Sequence, residues 1–105
     1  MPLNDHEVVV TDLESILHYL CRYYKVDVES LKGNSSNRTF VECRVVAAWL
    51  ASTLRVATVK SMAAFFCREH TSFSKQKSAM EIKDLNKLRN FKACYLAFID
   101  GNKGG

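Results

Sequence analysis

The chain has 105 residues, of which 48% are hydrophobic, and it contains one proline and four glycines. This composition favours one compact, helix-rich domain over a disordered segment. The longest apolar run, Val45 to Ala51, is far shorter than the roughly 18 residues of a membrane span, and the N-terminus lacks the basic-then-apolar form of a secretory signal. We therefore expect a cytoplasmic protein with no membrane partner.

The net charge of +4 is unevenly distributed along the sequence. Residues 55–92 contain nine basic and three acidic residues, giving +6, and the remainder contains six basic and eight acidic residues, giving −2. A positive segment of this size favours a polyanionic partner such as double-stranded DNA. Scattered lysines on a solvated helix face would give the same count.

The spacing of the cysteines disfavours metal and redox chemistry. Cys21, Cys43, Cys67 and Cys94 are more than twenty residues apart, without a CxxC pair. We expect no metal and no cofactor, and we expect reduced thiols, buried except at Cys67. Cys67 lies close to His70, so a Cys/His enzyme is an alternative, but no acid pair or Gly-rich phosphate loop supports catalysis.

The first half of the chain predicts three helices. After a loose lead-in at residues 1–10, a capping box at Thr11 and Glu14 begins an amphipathic helix that ends near residue 25. A short helix capped by Asp27 and stopped by Gly33 follows. After a polar loop at 34–37, a second capping box, at residues 39 and 42, begins a long central helix that ends near Leu54. Its candidate buried residues are Val41, Val45, Ala48, Trp49 and either Ala51 or Ser52.

The segment from Thr58 to Lys77 has the pattern of a helix-turn-helix, the whole motif extending over about residues 58–80. Thr58 can cap the first helix, and Thr71 or Ser72 can cap the second. In this motif the start of the second helix meets base edges, while nearby basic residues meet phosphates. Two helices joined by a polar turn also occur in domains that do not bind nucleic acid, so the pattern leaves both interpretations open.

A final amphipathic helix is predicted at about residues 84–99, after a break near Asp84. It ends before Gly101, leaving a flexible tail at 100–105. Its apolar residues are Leu85, Leu88, Phe91, Tyr95, Leu96 and Phe98. We expect this helix to close the core over the first helix, and its apolar side could also form a homodimer.

Three stretches resemble the C-terminal DNA-binding domain (domain IV) of the bacterial replication initiator DnaA, which has a Trp-repressor-like fold. They are CRYYKVDVESLKG (21–33), RTFVECRVVAAWLA (38–51) and FFCREHTSF (65–73), the last being similar to the family signature FGxRDHTTV. The resemblance extends from about Leu13 to Met80. It implies a single all-α domain of five to six helices at residues 11–99, in a stand-alone bacterial or phage relative without the ATPase region.

The resemblance also implies roles for individual residues on DNA. Arg38 would enter the minor groove, and Val59 would touch a thymine methyl group in the major groove. The other predicted major-groove residues are Glu69, His70, Thr71 and Ser72. The predicted phosphate contacts are made by Arg44, Lys60, Arg68, Lys75 and Lys77.

The sequence departs from the family at the turn and in the polar loop. Glu69 replaces an aspartate, Phe66 and Cys67 replace more flexible glycine, and residues 34–37 lack the usual lysines and arginines, which should reduce phosphate contacts. The predicted function is sequence-preferring binding of double-stranded DNA in the regulation of replication initiation or transcription, with a replication initiator as a further partner. The alternative is a degenerate protein-interaction or dimerisation module.

Overall fold

A computed structural model describes residues 12–33 and 37–104 of the chain. This part contains six α-helices and no strand. The helices are α1 (Leu13–Tyr24), α2 (Val28–Lys32), α3 (Arg38–Thr53), α4 (Val59–Phe65), α5 (His70–Lys83) and α6 (Leu85–Gly104). The all-α prediction is therefore confirmed. The predicted lead-in, Thr11, most of the polar loop and the last residue lie outside the described residues.

Helix α3 is the central element of the fold and packs against each of the other five helices. Every residue from Cys43 to Ala51 is buried, which a helix can sustain only when neighbours cover all of its sides. Small side chains at Ala47, Ala48 and Ala51 are fully buried and allow those neighbours to approach closely. The prediction of a central scaffold is confirmed, with Val41 only half-buried.

Two helices begin at caps other than those predicted. Asp12 caps α1 by accepting from the Ser15 N–H at 2.9 Å, and Asn37 caps α3 by accepting from the Thr39 N–H at 2.8 Å. The capping boxes predicted at residues 11 and 14 and at residues 39 and 42 are therefore wrong, because short Asp and Asn side chains at neighbouring positions serve as well. The predicted cap Asp27 is confirmed by its 2.8 Å bond from the Ser30 N–H.

Helix α6 closes the core over α1 through aromatic contacts, as predicted. The ring centroids of Tyr19 and Tyr95 are 5.3 Å apart, and those of Tyr24 and Phe91 are 5.9 Å apart. The helix continues to Gly104, so the predicted end before Gly101 is wrong, while the flexibility of the tail at 100–105 stays a prediction. A glycine weakens a helix by only about 1 kcal/mol, which does not by itself end it.

Glu42 joins three helices at the edge of this core. The Tyr24 hydroxyl donates to Glu42 Oε2 at 2.5 Å, and Lys87 Nζ lies 2.8 Å from the same oxygen. Burial alone would raise the pKa of Glu42, but the hydrogen bonds from Lys87 and Tyr24 outweigh it and lower the pKa. These contacts fix α1 and α6 to the first turns of α3.

All four cysteines are free, and burial is less than predicted at Cys21 and Cys94. Cys43 is buried, which raises the pKa of its thiol to about 12, and Cys21 is half-buried. Cys94 is exposed, because Leu88, Phe91 and Tyr95 form the buried stripe of α6 and Cys94 lies beside it. Within the described residues no cluster of His, Cys, Asp or Glu is placed to hold a metal ion. No helix in these ranges has the length and apolar character required to cross a membrane.

Candidate nucleic-acid interface

Helix α4 is fixed at both ends by local hydrogen bonds. At its start, the Thr58 hydroxyl accepts from the Ser61 N–H at 3.0 Å, and Ser61 Oγ accepts from the Thr58 N–H at 3.1 Å. At its end, Cys67 has a φ of 58°, a left-handed conformation that lets the next N–H, of Arg68, donate to the Ala63 carbonyl at 2.8 Å. The chain reverses at this point and enters the turn before α5.

Glu69 begins α5 and sets which residues form its first turn. Its two carboxylate oxygens accept from the N–H groups of Ser72, at 2.8 Å, and Thr71, at 3.1 Å. These hydrogen bonds lower the pKa of Glu69 to about 2. The predicted caps Thr71 and Ser72 are therefore wrong, and both residues, together with His70, lie exposed in the first helical turn. Thr58, the predicted cap of α4, is confirmed.

The two lysines of α5 that were predicted to contact phosphates lie on different faces. Phe73 is buried against the core, and Lys77, four residues later, lies on the same side. Lys77 Nζ is 3.0 Å from Glu81 Oε1, and the other oxygen of Glu81 accepts from Trp49 Nε1 at 3.1 Å. Lys77 is thus directed toward α3 and does not support the predicted phosphate contact. Lys75 is exposed and remains available to DNA.

Arg44 and Arg68 both donate to the carbonyl oxygen of Gly33. Arg44 is only 4% exposed; its Nε donates to the Leu31 carbonyl at 2.7 Å and its Nη2 to that of Gly33 at 3.5 Å. Arg68 Nη2 donates to the same Gly33 oxygen. Burial and the neighbouring Arg68 charge lower the pKa of Arg44. The burial of Arg44 does not support the predicted phosphate contact, and at the half-buried Arg68 the guanidinium is directed to the chain itself.

The remaining predicted contacts lie at the starts of α3 and α4. Arg38 is the exposed first residue of α3, directly after the cap Asn37. Val59 and Lys60 are the first two residues of α4; Val59 is half-buried against the core and Lys60 is exposed. The exposed residues available to DNA are therefore Arg38, Lys60, Glu69, His70, Thr71, Ser72 and Lys75.

Two features of this surface were not predicted from the sequence. The Gly33 carbonyl is an acceptor for two arginines, and Lys32 Nζ lies 4.5 Å from the centre of the Phe65 ring, a cation–π contact between α2 and α4. A backbone carbonyl has no sequence signature, so nothing in the sequence indicated that the Gly33 carbonyl accepts from two arginines. Lys32 and Phe65 are far apart in the sequence, and their contact depends on the packing of the helices.

A comparison with protein families agrees with this geometry. The family model described as the bacterial DnaA protein helix-turn-helix matches residues 13–82, which include α1 to α4 and nearly all of α5. No curated protein and no solved structure was found to match the chain. A helix-turn-helix family of this kind indicates DNA binding and not catalysis. Because the match covers more than half of the sequence, the chain belongs to the bacterial DnaA helix-turn-helix family.

Proposed function

We propose that the chain binds duplex DNA with a sequence preference and inserts the first turn of α5 into the major groove. The observation that carries this proposal is the exposure of His70, Thr71 and Ser72 together at the start of that helix. Imidazole and hydroxyl groups can donate to or accept from base edges. The N–H groups of Thr71 and Ser72 are already paired with Glu69, so the side chains provide the recognition.

Exposed basic residues around this turn are proposed to contact the minor groove and the phosphates. Arg38, at the start of α3, is the proposed minor-groove residue, because an arginine suits the negative potential of a narrow groove. Lys60 and Lys75 are the proposed phosphate contacts, and both side chains are exposed. Val59 is proposed to contact a thymine methyl group with the part of its side chain that the core leaves open. Glu69 could accept from a cytosine amino group while it caps α5.

Family membership supports a proposal for the biological role. We propose a role in regulating replication initiation or transcription, with a replication initiator as a candidate partner. The alternative, a protein-interaction or dimerisation module, depends on an apolar side of α6 that is free to bind. Leu88, Phe91 and Tyr95 are buried within the chain, which favours the DNA-binding proposal over this alternative.

Fluorescence anisotropy tests the proposal with a DnaA-box duplex and a scrambled duplex, each at low and near-physiological salt. We expect the wild-type protein to prefer the box and Arg38→Ala to remove most of that preference. Arg89→Ala is the matched control, because it removes an exposed arginine of α6 beyond the residues that match the family. Binding without preference would limit the function to general DNA binding, and no binding at low salt would refute the proposal.

A further inference from the structure

The carbonyl of Gly33 connects two parts of the proposed DNA surface. Arg44 reaches it from the middle of α3, and Arg68 reaches it from the turn that precedes α5. We infer that Arg68 is a positioning residue, which holds Gly33, five residues before Arg38, against the turn that leads to His70. This inference rests on the proposed function, because it assigns Arg38 and His70 to the two grooves of the same DNA.

The arrangement is electrostatically unfavourable by itself. Two guanidinium groups share one neutral oxygen, and the Arg68 charge disfavours the charged form of Arg44. Among the residues that the structure describes, the buried Nε of Arg68 also has no hydrogen-bond partner, which costs its desolvation energy. A carbonyl oxygen has two lone pairs, so the Gly33 oxygen can accept both bonds and contributes to keeping the two side chains together.

The sequence positions explain what this contact can control. Arg68 lies two residues before His70, and Gly33 lies five residues before Arg38. The Asn37 cap holds the other end of the connection to α3, and the Lys32 contact with Phe65 places α2 against α4 on the same side. Loss of the Arg68 side chain would therefore remove the link between Gly33 and the turn before His70, while Arg38 and His70 themselves stay unchanged.

Arg68 could instead act independently, as a simple phosphate contact. If Arg68 makes an independent contact, the fold losses of DNA affinity from Arg38→Ala and Arg68→Ala multiply in the double variant. If Arg68 positions the region of Arg38, the loss in the double variant is smaller than that product. A double-mutant cycle on the DnaA-box duplex separates the two cases. Its four proteins are the wild type, Arg38→Ala, Arg68→Ala and the double variant.

We expect a substitution of Arg38 that weakens binding about ten-fold in the wild type to weaken it only about two-fold in Arg68→Ala. The matched cycle pairs Arg38→Ala with Lys75→Ala and should give multiplicative losses, because Lys75 is exposed on α5. Circular dichroism checks that each variant folds. If Arg68→Ala does not fold, Arg68→Lys takes its place in the cycle. Multiplicative losses in the Arg68 cycle would overturn the inference.

Amide hydrogen exchange of the free protein tests the same contact without DNA. The Gly33 N–H donates to the Ser30 carbonyl at 3.1 Å, and we expect Arg68→Ala to speed its exchange by about ten-fold. The amide of Tyr95 in the core of α6 should keep its rate, which excludes a global loss of stability. Unchanged exchange at Gly33 would refute a positioning role, whereas absence of DNA binding by the wild type would refute the proposed function alone.

Discussion

Lys77 Nζ lies 3.0 Å from Glu81 Oε1, one turn further along α5, and Glu81 in turn accepts from Trp49 on α3. Lys75, two residues earlier, is exposed. The two lysines therefore offer a matched pair with the same charge on the same helix, one facing the proposed DNA surface and the other facing the protein.

Lys75→Ala should weaken binding to all duplexes alike, because a phosphate contact carries no base information. The slope of log K against log salt should fall by about 0.9, the value for one lost phosphate contact. Lys77→Ala should leave that slope unchanged. Anisotropy titrations at four salt concentrations measure both slopes, and an equal reduction in the two variants would show that Lys77 also reaches the DNA.

His70→Ala should reduce sequence preference while leaving general DNA binding intact. His70 is exposed in the first turn of α5, and a lost base-edge contact costs about 1–3 kcal/mol at one or two positions of the site. Competition binding against duplexes with single base changes measures this loss. Ser78→Ala, at an exposed position further along α5, is the control. Equal losses on specific and scrambled DNA would contradict a role of His70 in base recognition.

The sequence predicted the helices and the helix-turn-helix because both depend on local patterns. The spacing of apolar residues located α3 and α5. The same spacing indicated that Lys77 lies on the inner face of α5, because it follows the buried Phe73 by four residues. The burial of Arg44 had no such signal, because it depends on where α2 places the carbonyls of Leu31 and Gly33. The structure therefore does not support the phosphate predictions at positions where an arginine or lysine binds the protein's own groups.

The helix starts were less predictable than the helices. Asp12, Asn37 and Glu69 are the observed caps, and each has a neighbour with a side chain that can also cap a helix. Cap strengths differ by about 1 kcal/mol or less among such residues, so packing selects between them. At α5 this choice decides the interface, because capping by Glu69 moves Thr71 and Ser72 from the cap into the first exposed turn.

Cys67→Gly should stabilise the protein by about 0.5–1 kcal/mol. Cys67 has a φ of 58°, a conformation that costs a residue with a Cβ about 1–2 kcal/mol. The greater freedom of glycine in the unfolded chain offsets about 0.5–1 kcal/mol of this gain. Urea denaturation measures the free energy of unfolding. Cys67→Ala, which removes the thiol but keeps the Cβ, should remain close to the wild type, and a destabilised glycine variant would contradict strain at this turn.

The cap of α5 should also make stability depend on pH. Hydrogen bonds from the N–H groups of Ser72 and Thr71 lower the pKa of Glu69 from its ordinary value of 4.5 to about 2 in the folded protein. A carboxylate with a lowered folded pKa contributes stability that is complete above the unfolded value and is lost as the pH falls through the folded value. The contribution of Glu69 should therefore be full above about pH 5.5 and largely absent near pH 2.

Glu69→Gln tests this dependence, because the amide oxygen can still accept a hydrogen bond but carries no charge. We expect the variant to melt at a lower temperature than the wild type at pH 7, with the difference shrinking as the pH falls from about 5.5 toward 2. The capping carboxylates Asp12 and Asp27 are common to both proteins, so their titration cancels in the difference. Glu14→Gln removes an exposed charge near the start of α1 without removing a cap and controls for the change in net charge. A melting difference that stays constant from pH 7 to pH 2 would mean that the Glu69 charge does not stabilise the start of α5, and that the first turn carrying His70 is held by packing alone.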